Sequence, residues 1–251
     1  MSARFVWIVG ASPGGLGAAL AGIYSAQGAK VVVSARSADK LAEISETHPN
    51  IFSAPLDVTD RDSLPEVVQR VRTQLGGLDL VIYCAAIWHP MNLRGLEPAT
   101  IEKSLATNFI GAVNVLAATL PLLREEKDPQ IVLVSSVAGY RGLPKSAAYG
   151  PSKAALINFA EGLRPELNKE GISLSVVNCG FIETPMTAEN DFPMPFILSV
   201  DDAAQRLVTA VESRKFEISF PKRMTFFMKM LRNMPYALFF WLVKRYMLPK
   251  N

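Results

Sequence analysis

The chain has 251 residues, enough for one large α/β domain, and no break in composition divides it in two. A hydrophobic share of 49% and a charged share of 20% exclude wholesale disorder. The net charge of +3 is unevenly placed: residues 222–251 hold seven basic residues and no acidic one, so the rest carries 19 basic against 23 acidic residues, which excludes a nucleic-acid-binding body.

Taken in chain order, short β-rich runs alternate with helical patterns, which predicts a doubly wound seven-stranded parallel sheet of the Rossmann-like α/β class. The first strand, Arg4–Val9, is too short for the apolar core of a signal peptide, so the expected location is cytoplasmic. It runs into Gly10-Ala11-Ser12-Pro13-Gly14-Gly15-Leu16-Gly17, followed by a helix over Leu16–Gln27. Glycines there let backbone approach a pyrophosphate, and the helix N-terminus offers free N–H groups and partial positive charge. The plain alternative is a glycine-rich turn that holds nothing. The second strand, Lys30–Ser34, ends in Ser34-Ala35-Arg36-Ser37, with Lys40 one turn on. A ribose 2′-hydroxyl calls for a carboxylate at this place and a 2′-phosphate for an arginine. No acid occupies 34–38, which favours NADP(H) over NAD(H).

Strands are expected next at Ile51–Pro55 and Asp79–Tyr83 around a helix over Ser63–Leu75, then a long helix over Ile101–Leu123 and a strand over Ile131–Ser135. Ser136 stands at the end of that strand. Thirteen residues later Y-G-P-S-K places Tyr149 and Lys153 four apart, so that both side chains share one helical face ahead of the helix expected over Ala154–Asn168. An ammonium beside a phenol favours the phenolate and is expected to draw the tyrosine pKa from ~10 toward neutrality. With the Ser136 hydroxyl on the same substrate oxygen, the trio reads as a proton-transfer site for a carbonyl/alcohol pair. A half-exposed tyrosine beside a solvated lysine has the same spacing by chance, and only the context separates the two.

A strand over Ser173–Asn178 is followed by an apolar, proline-broken stretch at 185–199. It reads either as a mobile lid, with Met186, Phe192, Met194 and Phe196 as walls of a lipophilic pocket, or as a loop packed on the body. Ile87-Trp88-His89 and Tyr140-Arg141 are candidates for the opposite wall. A helix over Ala203–Ser213 and a strand over Phe216–Phe220 complete a dinucleotide-binding catalytic domain at 1–221. The basic, apolar extension at 222–251 holds Lys222, Arg223, Lys229, Arg232, Lys244, Arg245 and Lys250. Its longest apolar run, Met234–Val243, is too short to cross a bilayer that needs ~20 residues. It reads as a helical layer on the body or as a peripheral membrane anchor, aromatics in the acyl boundary and cations on anionic headgroups. Cys84 and Cys179 read as buried reduced thiols, and His48 and His89 are too scattered for a metal site.

Together these motifs resemble the short-chain dehydrogenase/reductase family over roughly residues 4–220. The glycine motif resembles Gly10–Gly17, which implies cofactor contacts at Gly10, Ser12, Gly15 and Leu16. The resemblance further implies adenine contacts from Asp57 and Val58 in L-D-V-T, backbone from Ala85, and nicotinamide contacts from Ile182 and Thr184. Asn108 in T-N-F-I-G resembles the family's helix asparagine, which positions a water in a relay to Lys153. Ser136, Tyr149 and Lys153 then become catalytic residues, Lys153 also holding the nicotinamide ribose, with hydride transfer to a small, lipophilic ketone or aldehyde. Relatives commonly dimerise through the helices matching Ile101–Leu123 and Ala154–Asn168, which implies a homodimer. Three departures stand out. The glycine loop is one residue longer than usual, with Pro13 or Gly14 extra. The usual N-N-A-G is Tyr83-Cys84-Ala85-Ala86, and the usual proline-glycine after strand six is Cys179-Gly180. Epimerase relatives share the Tyr–Lys pair but add a larger C-terminal substrate domain than the thirty residues here. A catalytically weak nucleotide-binding scaffold, tethered by its C-terminal extension, is the non-enzymatic alternative.

Overall fold

Strands as apolar as Val-Trp-Ile-Val and Val-Val-Val need cover on both faces, and the computed structural model, which describes residues 4–188 and 190–248, supplies it. The strands are β1 (Phe5–Val9), β2 (Lys30–Ser34), β3 (Ile51–Ser53), β4 (Leu80–Tyr83), β5 (Gln130–Ser136), β6 (Ser173–Cys179) and β7 (Glu217–Phe220). They form one sheet in the order β3-β2-β1-β4-β5-β6-β7, and every pairing is parallel. All seven expected strands are present. The register sets Val9 beside both Ser34 and Tyr83, and Ser136 beside Cys179. The order reverses between β1 and β4, which opens a crevice beyond their carboxyl ends.

Nine α-helices are seen among the described residues. α1 (Leu16–Ala26), α2 (Ala38–Ser45), α3 (Leu64–Leu75), α4 (Pro98–Leu105), α5 (Gly111–Leu123) and α6 (Tyr149–Lys169) are followed by α7 (Val200–Val211), α8 (Lys222–Asn233) and α9 (Tyr236–Tyr246). α1, α2 and α7 cover one face of the sheet; α3, α5 and α6 cover the other. α2 was not anticipated: it is short and polar outside, capped by the Ser37 hydroxyl accepting from Lys40 N–H, and it buries only Leu41 and Ile44. The single helix expected over Ile101–Leu123 is instead α4 and α5 joined by a π-helical turn at Ala106–Ile110. Tyr83 explains the break, because its hydroxyl donates to the Thr107 carbonyl at 2.5 Å inside that turn. α6 begins five residues earlier than expected, so Tyr149 is its first residue.

The C-terminal segment, α8 and α9, packs on the body by one face. Met224, Met228 and Leu231 of α8 and Phe239 of α9 are buried in the same core as α5 and α6, each such side chain contributing about 1.5–3 kcal/mol. Arg141 ties the junction down. Its guanidinium donates to the carbonyls of Arg232 and Met234, and it lies 4.4 Å from the ring centroids of both Tyr236 and Phe239. Tyr140 is hydrogen-bonded to Glu217, whose other oxygen meets Lys229 of α8. Tyr140 and Arg141 therefore serve the extension and do not wall the substrate side. Lys250 lies outside the described residues.

Candidate active site

The crevice at the sheet reversal is a cleft of about 570 Å³ that runs from Arg36 at the end of β2 to Tyr149 at the start of α6. Its lining holds Gly10, Ser12, Gly15, Leu16, Arg36, Asp57, Val58 and Ala85, and on the far side Tyr149, Lys153, Ile182 and Thr184. Its floor is backbone for a steric reason. Gly10 has φ +98°, and a Cβ there would stand 2.2 Å from the Ala85 nitrogen; one on Gly17 would stand 2.4 Å from the Gly10 oxygen. The longer glycine loop is resolved by a β-turn. Gly15 N–H donates to the Ser12 carbonyl at 2.9 Å, with Pro13 and Gly14 (φ +71°) at the turn centre, the residue pair a type II turn favours. α1 then starts with no side-chain cap, leaving its first N–H groups available to an anion.

Beyond β3, the Asp57 carboxylate accepts from the Thr59 N–H at 2.9 Å and hydroxyl at 2.7 Å. The Thr59 N–H, followed by its hydroxyl and the nearby Arg36 charge, holds the Asp57 pKa below the usual carboxylate range. Arg36 enters none of the salt bridges among the described residues and is exposed at the rim. Its guanidinium is thus free to meet an anion.

At the other end, β5 and α6 bring Ser136, Tyr149 and Lys153 together. Lys153 is 1% exposed, and its Nζ donates to the Val134 carbonyl at 2.8 Å while lying 5.4 Å from the Tyr149 ring centroid. The Ser136 hydroxyl donates to the Cys179 carbonyl at 3.3 Å and accepts from Ala138 N–H at 3.2 Å. The expected fall in the tyrosine pKa is reversed here. Burial pushes the Tyr149 phenol well above its ordinary value, with only the Ser136 hydroxyl pulling it down, while burial draws Lys153 down to about 8. The ammonium is directed at a carbonyl, and low polarity around both groups penalises both charges. Phenol and ammonium thus keep their protons at neutral pH. Both thiols keep their protons: Cys179 is buried, Cys84 is half-buried in the cleft lining, and desolvation raises Cys84 to about 12 and Cys179 as well.

Asn108 sits in the π-helical turn and is fully buried. Its amide donates to the Ile87 carbonyl at 3.0 Å and the Ser152 hydroxyl at 2.9 Å, and its Oδ1 accepts from Ile87 N–H at 2.8 Å. Ser152 in turn donates to the Tyr149 carbonyl at 2.7 Å. Both amide N–H groups are committed to protein, so any water in a relay is left to Oδ1 or to backbone. Ser152 was not singled out by sequence, because a serine between Tyr149 and Lys153 has no signature of its own.

The segment at 185–199, of which Glu189 lies outside the described residues, is fastened over Tyr149. Trp88 sets its ring edge-on to Tyr149 at 5.1 Å and contacts Phe192 at 6.4 Å, while its Nε1–H donates to Asn190 Oδ1 at 2.8 Å. Lys145 pairs with Asp191 at 2.7 Å, and a bridge joins Ile182 to Leu198. Phe192 and Met194 are half-buried and Met186 lines the cleft, whereas Phe196 (φ +58°) is turned outward and is not a wall residue. Thr187, which the sequence did not point to, holds the Thr184 turn: its hydroxyl donates to the Ile182 and Thr184 carbonyls at 2.6 and 3.0 Å.

The short chain dehydrogenase family profile matches residues 4–193, and the chain belongs to that family of oxidoreductases. It is 34% identical over 243 residues to an uncharacterized oxidoreductase of Myxococcus xanthus (strain DK1622), covering 95% of this chain and 96% of that one. It is 35% identical over 216 residues to an uncharacterized oxidoreductase of Mycobacterium tuberculosis (strain CDC 1551 / Oshkosh), covering 82% and 84%. In fold it is similar to a short chain dehydrogenase from Burkholderia cenocepacia J2315 crystallised in complex with NADP, with a TM-score of 0.83, 24% identity, and coverage of 98% and 99%.

Proposed function

We propose that the protein is an NADP(H)-dependent oxidoreductase that reduces a lipophilic ketone or aldehyde. One observation carries this reading: a single cleft joins an unpaired Arg36, with no acid at 34–38, to a Tyr149 phenol walled by aromatic rings. The residues present fit the cofactor. Glycine backbone and the uncapped α1 N-terminus suit a pyrophosphate, Arg36 a 2′-phosphate, Asp57 and Val58 the adenine side, Ala85 backbone the adenosine ribose, and Ile182 and Thr184 the nicotinamide end. That the similar Burkholderia cenocepacia structure holds NADP is consistent with this choice.

The cofactor, when bound, supplies the hydride. Tyr149, kept protonated by burial, donates its proton to the oxygen of the carbonyl as negative charge develops there, and Ser136 holds the same oxygen. A phenol held in its acid form suits the reducing direction. Lys153 contributes positive charge beneath the phenol and a donor for the ribose, anchored by the Val134 carbonyl. Asn108 acts through Ser152, fixing the helix end that carries Tyr149. Trp88, Phe181 and Phe192, in contact by their rings, favour an apolar substrate body.

The protein is proposed to work in the cytoplasm as a homodimer. The face of α4–α6 carries Ile110, 44% exposed, and the Phe109–Phe159 edge contact at 5.7 Å, a surface suited to a second copy. Sedimentation as a monomer at micromolar concentration would remove the dimer. The chemistry is tested by NADPH oxidation over a panel of ketones and aldehydes. Tyr149→Phe is expected to lower turnover roughly 100-fold or more while NADPH binding persists. NADPH binding without turnover of any carbonyl would favour the scaffold alternative instead.

A further inference from the structure

We propose that the outer face of α8 and α9 seats this protein on an anionic lipid bilayer, independently of the cofactor and substrate proposed above. α8 is amphipathic twice over. Met224, Met228 and Leu231 form the stripe that enters the core, and a second stripe, Phe227 and Met230 with Phe226 beside it, turns to solvent. Phe226 is 68% exposed. On α9 only Phe239 is buried, while Phe240 and Trp241 stand out, Trp241 at 57% exposure. Both helices bury their inner stripes in one core, so the exposed aromatics face away from the same side of the body. Large apolar groups gathered on a surface mark a contact with something else.

The charge pattern says which contact. Residues 222–248 hold six cations and no acidic residue, and among the described residues only Lys229 of these six is in a salt bridge, with Glu217. Arg223 lies in line with Phe227 and Met230, and Lys244 and Arg245 follow Phe240 and Trp241 by one turn. A two-fold contact between two copies would press these cations toward one another. An anionic headgroup layer meets both features at once, taking the rings into its acyl boundary and the cations at its phosphates. Helices of 12 and 11 residues are too short to span a hydrocarbon core that needs about 20, so they lie in the interface.

The test uses the full chain with vesicles of phosphatidylcholine, alone or mixed with phosphatidylglycerol. Co-sedimentation is expected with the mixed vesicles, at roughly tenfold higher partitioning than with the neutral ones, and it should fall as salt rises. Trp241 emission should shift to the blue on binding, since Trp7 is fully buried and Trp88 is half-buried and hydrogen-bonded to Asn190. Lys244→Gln and Arg245→Gln should each lower partitioning about fivefold. Phe227→Ser with Trp241→Ser should abolish it while melting temperature and NADPH binding stay unchanged, which separates loss of contact from loss of fold. Equal partitioning to both vesicle types, or none to either, overturns the proposal. So does sedimentation velocity showing copies that pair through this face, separated by the double serine variant, without vesicle binding.

Discussion

Replacing Lys153 by methionine should abolish turnover and yet make the free protein more stable. The lysine is 1% exposed, and burial lowers its pKa from 10.5 to about 8. Holding its charge at neutral pH therefore costs the fold about 3 kcal/mol. Methionine matches the stem in shape and removes that charge, but it orphans the Val134 carbonyl, which costs about 1 kcal/mol. The net gain at pH 7 is about 2 kcal/mol, read as a shift of the urea midpoint followed by tryptophan fluorescence at unchanged slope. The sign with pH follows from proton binding. Between pH 8 and 10.5 the unfolded chain holds this proton more tightly than the folded one, so the parent gains stability as pH rises through that window. Below pH 8 the penalty is complete, and above 10.5 it has gone. The methionine variant lacks this slope, so its advantage should fade across the same window. A variant no more stable than the parent at pH 7, or an advantage that does not change up to pH 10.5, would refute the reasoning.

Arg36→Asp should reverse a cofactor preference that, in the parent, favours NADPH over NADH by roughly 1.5–3 kcal/mol; equal binding of both by the parent in titration calorimetry sinks the assignment. Gly10→Ala forces a Cβ to 2.2 Å from the Ala85 nitrogen at a φ of +98°, and should lower the melting temperature by roughly 6–12 °C, as expected for a loss of about 3 kcal/mol. NADPH affinity should weaken as pH rises past about 8, where Lys153 loses its charge, and Lys153→Arg should flatten that profile if it binds at all. Trp88→Ala should raise KM for an apolar ketone about tenfold with a smaller change in kcat, since the ring contacts Tyr149 without a titratable group; an unchanged KM would place substrate elsewhere.

All seven strands were legible because apolar runs bounded by turn residues leave little choice of structure. The placement of the Y-x-x-x-K pair, the glycine turn and Arg36 along one cleft was legible because each stands at a strand or helix end that its own neighbours in sequence define. What escaped depends on partners far along the chain. Trp88 meets Asn190 from 102 residues away, and Arg141 meets Arg232 from 91, so neither the latch over Tyr149 nor the clamp on the extension has a local signature. Tyr140 and Arg141 are candidates for the substrate wall by sequence, and their contacts with Glu217 and with the α8–α9 junction decide otherwise. The pKa of Tyr149 escaped for a related reason. Spacing reports that a lysine is near, but not that its ammonium is aimed at the Val134 carbonyl, nor how dry the site is.

The π-helical turn at Ala106–Ile110 places a constraint of length on this part of the chain. Gly111 N–H reaches back five residues to the Ala106 carbonyl, so the turn holds one residue more than an α-helix would. Deleting one of the five would return the turn to plain α-helix and leave α4 and α5 in register, because the wide turn is what absorbs the additional residue. The loss would be local: the Tyr83 hydroxyl would lose the Thr107 carbonyl, and Asn108 would leave Ile87 and Ser152. In a library of single-residue deletions, residues 106–110 should therefore be the stretch between Pro98 and Leu123 where the fold survives and activity does not, whereas a deletion within α4 or α5 themselves turns one end of the helix by about 100° against the body.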